Sequence, residues 1–313
     1  MFFDTHCHLN FKAFVGRIEE VIKRAKETGV DRFVVPGTDV ETSKKAVKLA
    51  EKYPEVYAAV GIHPHHVFQM FKAGPVGSFP PVNARLADRL PQDLRVAGSP
   101  SSSTTRLLNN IEELLTHRKV IAVGEVGLDK HNYQKTKYKN YQINDNFLDL
   151  QKTMFKEQIK LAIKYKKSLV IHNREAAGEL LKIIGEPAVA QALARRAVFH
   201  CCEAEDRLLE LALAHHIYIG VDGDVTYSKS KQEFVKKIPL ELLVLETDSP
   251  LLVPEPLRSQ EKYLRLCQDF GGQVNEPKNL VLIAEKIAEL KKTSIKHLIK
   301  VTEDNSKELF QMG

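Results

Sequence analysis

His6 and His8 stand two residues apart in the opening stretch Met1-Phe2-Phe3-Asp4-Thr5-His6-Cys7-His8. An apolar run that leads into them reads as a short buried strand, on which alternate side chains share a side. Two imidazoles held side by side at a strand exit make half of a metal site, because neutral imidazole ligates zinc, manganese and iron. Taken alone, the pair also fits a strand with two incidental histidines. Four more candidate ligands lie far along the chain: Glu125 in Gly124-Glu125-Val126, His172 in Ile171-His172-Asn173, His200 in Phe199-His200-Cys201 and Asp248 in Thr247-Asp248-Ser249.

The elements between these residues decide whether they can meet. The apolar start of Met1–His8 and short apolar runs at Arg32–Pro36, Val56–Gly61, Val120–Gly124, Ser168–Ile171, Ala197–Phe199, Ile217–Val221 and Leu242–Leu245 read as strands. Amphipathic stretches alternate with them, among them Gly16–Thr28, Thr42–Lys52, Leu107–His117, Phe147–Tyr165, Ala176–Ile184, Asp206–His215 and Lys229–Lys236. Strand–helix alternation over eight strands predicts an α/β protein with a TIM-like (β/α)8 barrel. The tail predicts helices at Asn279–Lys291, Ile295–Val301 and Thr302–Phe310. In such a barrel the carboxyl ends of all strands converge on one rim, so the six candidate ligands become one cluster. Six nitrogen and oxygen ligands exceed the three that a catalytic zinc usually takes from protein. Two divalent ions sharing Glu125 as a bridging carboxylate fit the number better, and hydrolysis follows as the reaction class.

Two stretches break the rhythm. Val67–Thr105 holds Pro75, Pro80, Pro81, Pro91 and Pro100 and ends rich in Ser and Thr, which predicts a mobile insertion (67–105) at the catalytic rim, with helical turns near Ala84–Leu90. The alternation resumes in phase afterwards, so the whole chain, 1–313, is expected to form a single barrel domain. Lys130–Asn146 mixes Lys135, Lys137 and Lys139 with Tyr133, Tyr138 and Tyr141. Interleaved cations and aromatics suit contacts with phosphates and stacked bases, although a polar surface loop explains the same residues.

Composition narrows the class. Across 313 residues, 43% hydrophobic and 27% charged content is that of a globular chain with a substantial core. The formal net charge of +6 is compatible with a polyanionic substrate without requiring one. Four cysteines without C-x-x-C spacing, and no secretory signal peptide, point to a reduced cytoplasmic setting. No apolar run approaches the ~20 residues that span a bilayer, so no membrane partner is expected.

Asp4-Thr5-His6-Cys7-His8, Gly61-Ile62-His63-Pro64-His65, Gly124-Glu125-Val126-Gly127-Leu128-Asp129, Ile171-His172-Asn173-Arg174, Phe199-His200-Cys201, Glu246-Thr247-Asp248-Ser249-Pro250 and Asn275-Glu276-Pro277 occur in one order along the chain. That series resembles the TatD family of metal-dependent deoxyribonucleases, within the amidohydrolase superfamily of barrels. The resemblance implies that His6, His8 and Asp248 hold one metal, that His172 and His200 hold the other, and that Glu125 bridges them. It implies magnesium, manganese or zinc as the ions and DNA, as single strands or ends, as the substrate of a 3'-5' exonuclease acting as a monomer. Asp248 is then the acceptor of the nucleophilic water's proton. His63 would face the scissile phosphate, and Arg174 would contact it too unless it pairs with a carboxylate. Asp4 is expected to orient a ligating histidine, Asp129 and Glu276 to brace the rim, Cys7 to pack, and His65 and His66 to lie on the surface. The chain departs from the family pattern at Cys202-Glu203-Ala204, at Val274 where a basic residue is usual, and in 67–105. Competing readings are a deacylase or esterase using the same centre, for example on misacylated tRNA, and a metal-stabilised barrel without catalysis.

Overall fold

The computed structural model describes residues 1–72, 102–133, 136, 138, 140–260 and 274–312. Most of the expected 67–105 insertion, including Ala84–Leu90, lies outside the described residues, as do Lys135, Lys137 and Lys139. Eight parallel strands follow in chain order around one sheet: β1 Phe2–Asp4, β2 Val30–Pro36, β3 Val56–Val60, β4 Val120–Asp129, β5 Ser168–Arg174, β6 Ala197–His200, β7 Tyr218–Val221 and β8 Leu243–Leu245. Past the paired strands, Thr5 N donates to Leu245 O at 3.0 Å, Asp248 N to His6 O at 2.9 Å and His8 N to Ser249 O at 2.7 Å. These bonds and the Cys7–Ser249 bridge join the last strand to the first. The expected (β/α)8 barrel is the architecture observed.

Period-2 alternation explains how the barrel fills. Each strand sends one side chain into a buried interior layer: Phe3, Val34, Ala59, Ala122, Val170, Val198, Tyr218 and Val244. Leu309, at the end of the final helix, and Phe310 just after it join that layer, with the Phe3 and Phe310 rings 5.8 Å apart. The intervening strand residues face the helices. Burial therefore fixes the register, and the opposite end of the barrel is left for polar strand-end residues.

Several boundaries differ from the sequence reading for local reasons. The stretch after His63 is helical over Pro64–Lys72, a helix with Pro at its first position, so the irregular segment does not begin at Val67. The helix before β4 starts at Ser102, ahead of the expected Leu107. The tail has one helix over Ile295–Leu309, where two were expected. Thr302, at the expected break, turns its hydroxyl back to Leu298 O at 2.9 Å and stays in the helix. Strand β4 does not end at Gly124 but runs on to Asp129, with its pairing to β5 slipping between Val123 and Val126. Glu125 sits in that bulge, a device that re-aims a side chain.

Candidate metal centre

All six sequence-predicted ligands meet at the carboxyl ends of the strands. The Nε2 atoms of His6 and His8 lie 3.2 Å apart. Asp248 Oδ1 is 3.4 Å from His8 Nε2, 3.8 Å from His6 Nε2 and 3.9 Å from His200 Nε2. The His6 and His200 rings stack with centroids 3.4 Å apart. Glu125 stands between two groups: its Oε2 faces His6 and His8 at 3.5 and 3.6 Å, and its Oε1 faces His172 Nδ1 at 2.8 Å and His200 Nε2 at 3.9 Å. Each carboxylate oxygen thus faces a different set of imidazoles.

The residues present fit a divalent metal centre. Three groups of side chains offer ligand atoms within 4.8 Å of one another: His6, His8 and Asp248; His6, Glu125 and His200; and His63, Asp129 and His172. Asp248 Oδ1, His6 Nδ1 and His8 Nδ1 are buried with no hydrogen-bond partner among the described residues. Burial and the neighbouring His200 hold His6 well below the usual histidine range. His172 is driven the other way. Burial lowers its pKa, yet the hydrogen bonds and charges of Asp129 and Glu125 bring it up to about 9. Burial likewise opposes protonation of His200, and Glu246, with Glu125 and Asp248 behind it, brings the pKa up to about 10. Crowded buried carboxylates here demand positive charge, which protonated imidazoles or a cation can supply.

The supporting shell was only partly legible. Asp4, expected to orient a ligating histidine, accepts from His6 N at 3.2 Å and from Thr247 N and Oγ1 at 3.0 and 2.6 Å. It thereby ties the exit of β1 to that of β8. Burial raises its own pKa to about 8. The ring partner of His200 is Glu246, 3.0 Å from Nδ1, a residue whose role the sequence reading missed. Glu246 Oε1 also accepts from Cys201 N at 2.5 Å. Room for that carboxylate exists because β7 carries Gly220, where a Cβ would fall 2.5 Å from Oε1. Asp129 stands 3.3 Å from His172 Nε2 and accepts the Tyr133 hydroxyl at 2.8 Å. Glu276 makes a two-pronged ion pair with Arg24 at 2.9 and 2.8 Å, and its neighbour Asn275 reaches the exit of β8 through Thr247 O at 2.9 Å.

His63 lies close to the centre, with Nε2 3.4 Å from Glu125 Oε1 and its ring 4.3 Å from that of His172. His65 and His66 are half-buried, which corrects the expectation of surface positions. His65 stacks on Tyr133 at 5.3 Å, and His66 pairs with Asp39 at 3.0 Å. Arg174 is exposed, with its guanidinium 5.2 Å from the Tyr133 ring centre. Cys7 is fully buried, and Cys7, Cys201 and Cys202 are all free thiols. The cluster forms the floor of an open cavity of about 780 Å³, large enough for a ligand well beyond a single phosphate.

A (β/α)8 barrel whose rim gathers four histidines and two carboxylates at metal-ligand separations defines a metal-dependent hydrolase. The model of the TatD-related DNase family matches residues 3–311, and the chain belongs to that family. It is 32% identical over 315 residues to the metal-dependent hydrolase YabD of Bacillus subtilis, with all of both chains covered. It is 28% identical to the 3'-5' ssDNA/RNA exonuclease TatD of Edwardsiella piscicida, with 99% of each chain covered. The crystal structure of YjjV, a TatD homologue from Escherichia coli, superposes with a TM-score of 0.74 at 26% identity, covering 100% of this chain and 98% of that one.

Proposed function

We propose that this chain hydrolyses phosphodiester bonds of DNA, removing nucleotides from single strands or ends in the 3'-5' direction with two divalent ions in the centre. Glu125 carries the reading, because its two oxygens face separate imidazole groups 3.5–3.6 Å and 2.8–3.9 Å away on the floor of an open cavity. The names of two relatives add support: the Edwardsiella exonuclease and a Tat-D deoxyribonuclease of Schizosaccharomyces pombe, 28% identical with 92% of this chain and 85% of that one covered.

In this reading His6, His8 and Asp248 would hold one ion and His172 and His200 the other, with Glu125 between them. Such ions supply Lewis acidity at the phosphoryl oxygens and lower the pKa of water there. Asp248 Oδ1, buried and without a hydrogen-bond partner among the described residues, accepts the proton of the attacking water. His63, at the edge of the cluster, turns an imidazole nitrogen to the scissile phosphate. Arg174 meets two phosphate oxygens at once, because a guanidinium presents parallel donors. Glu246, Asp129 and Asp4 keep these groups in place.

The test is polarity. Metal-loaded protein is incubated with single-stranded DNA labelled at the 5' end, blocked at either terminus, beside an aminoacyl ester. A ladder shortened from a free 3' end, and lost when that end is blocked, is the expected result. Turnover of the ester with intact DNA would overturn the proposal in favour of a deacylase.

A further inference from the structure

The cavity has a second guanidinium wall that the chemistry above leaves unused. Arg258 lies beyond β8 on the segment Leu251–Gln260, and its guanidinium carbon sits 4.3 Å from the centre of the Tyr227 ring. Tyr227 closes the short helix after β7, and Glu255 N donates to Thr226 Oγ1 at 2.8 Å, so the loops that follow β7 and β8 are tied together. Arg174, at the end of β5, over Tyr133, on the loop that follows β4, repeats the same pairing. With strands in the order 1 to 8 around the barrel, β4 and β5 stand diametrically across from β8 and β1. The metal-ligating residues lie between, and both arginines line the one cavity. Among the described residues neither guanidinium enters an ion pair, and both are exposed. A tyrosine face holds each planar group while leaving its N–H donors directed outward. Stacked arginines with unused donors, on both sides of a hydrolytic centre, suit a chain of phosphates rather than a single ester.

We infer that Arg258, seated on Tyr227, is a phosphate anchor across the centre from Arg174, so that the site grips a polynucleotide by phosphates beyond the scissile one. The inference rests on the nuclease reading. It assigns Arg258 a part in binding and none in the chemical step, and it gives the enzyme a preference for strands several nucleotides long. A dinucleotide offers one phosphate, to be cleaved; a hexanucleotide offers further phosphates that reach the β7–β8 wall.

The experiment measures binding of fluorescent oligothymidylates of two and six nucleotides to the metal-stripped full chain by anisotropy, and cleavage of both lengths by the metal-loaded protein. Parent protein is compared with Arg258→Ala, Arg258→Lys and Tyr227→Leu. Arg258→Ala should weaken the hexanucleotide roughly tenfold, the scale of one hydrogen-bonded charged contact. It should also lower the slope of log affinity against log salt by about 0.7, the value for one phosphate on a single strand. Arg258→Lys should keep the salt slope and lose part of the affinity. Tyr227→Leu should fall between parent and Arg258→Ala. Unchanged hexanucleotide affinity and salt slope in Arg258→Ala would overturn the anchor while leaving the nuclease standing. A parent protein that cleaves neither length with any metal would overturn the nuclease reading, and the anchor with it.

Discussion

Replacing Glu246 separates support of a ligand from ligation itself. Glu246 is 1% exposed and reaches His200 Nδ1 at 3.0 Å and Cys201 N at 2.5 Å. In Glu246→Gln one oxygen still accepts from Cys201 N and faces His200 Nδ1, and the new amide group faces Thr5 Oγ1, now 3.5 Å from Oε2. The packing therefore survives, and the change is the loss of a negative charge behind the ring. After burial, which opposes it, that charge is the largest influence raising the basicity of His200. Loss of a carboxylate behind a ligating imidazole costs about 10- to 100-fold in metal affinity, or about 1.4 to 2.7 kcal/mol. Glu246→Ala should add about 1–3 kcal/mol of lost stability for each buried N–H left unpaired. Zinc affinity is read by competition with a fluorescent chelator, and stability by urea unfolding of the metal-free protein. A Glu246→Gln protein that binds zinc within twofold of the parent would refute the placement of Glu246 as the group that tunes His200.

Two further outcomes follow from local geometry. At Gly127, φ is +148° and a Cβ would meet His172 O at 1.9 Å, so Gly127→Ala should lose about 3 kcal/mol or more of stability, or fail to fold, with the loss read by urea denaturation. Glu303 receives the N-terminal ammonium at 2.9 Å and Lys307 at 2.6 Å; burial raises its pKa, and these partners bring it from 4.5 down to about 2. A carboxylate depressed on folding stabilises above its unfolded pKa and ceases to as pH falls through the folded one. Glu303→Gln should thus lower stability by about 1 kcal/mol at pH 7 and flatten the decline between about pH 4.5 and 2, measured by thermal unfolding across that window.

What could be read from the sequence was what periodicity and strand ends carry. Strand–helix alternation specifies a barrel, and a barrel brings His6, His8, Glu125, His172, His200 and Asp248 together although they span more than two hundred positions. Glu125 was placed at a strand end when it occupies a bulge inside a longer strand, since a register slip leaves no mark on a run of Val, Gly and Leu. Glu246 stood in the motif without a role, because nothing local shows which ring, 46 positions earlier in the chain, its carboxylate meets. Asp4 meets the amides of His6 and Thr247 rather than an imidazole nitrogen, a distinction that a carboxylate two residues from a histidine does not carry in the sequence. The half-buried His65 and His66 depend on the aromatic side chains of a later loop, and no local pattern encodes that contact. Nor does anything in the sequence announce Arg258 on Tyr227, a pairing across 31 residues made by two loops meeting at the rim.

The most direct test adds manganese or zinc in steps to metal-stripped protein, with bound metal and release of nucleotides from labelled single-stranded DNA measured on the same samples. Cleavage should rise with occupancy to a plateau at two ions per chain, and Glu125→Ala should hold at most one ion tightly and release nothing. Full cleavage at one ion per chain would contradict the bridging role of Glu125. Two bound ions with no cleavage of DNA would contradict the nuclease.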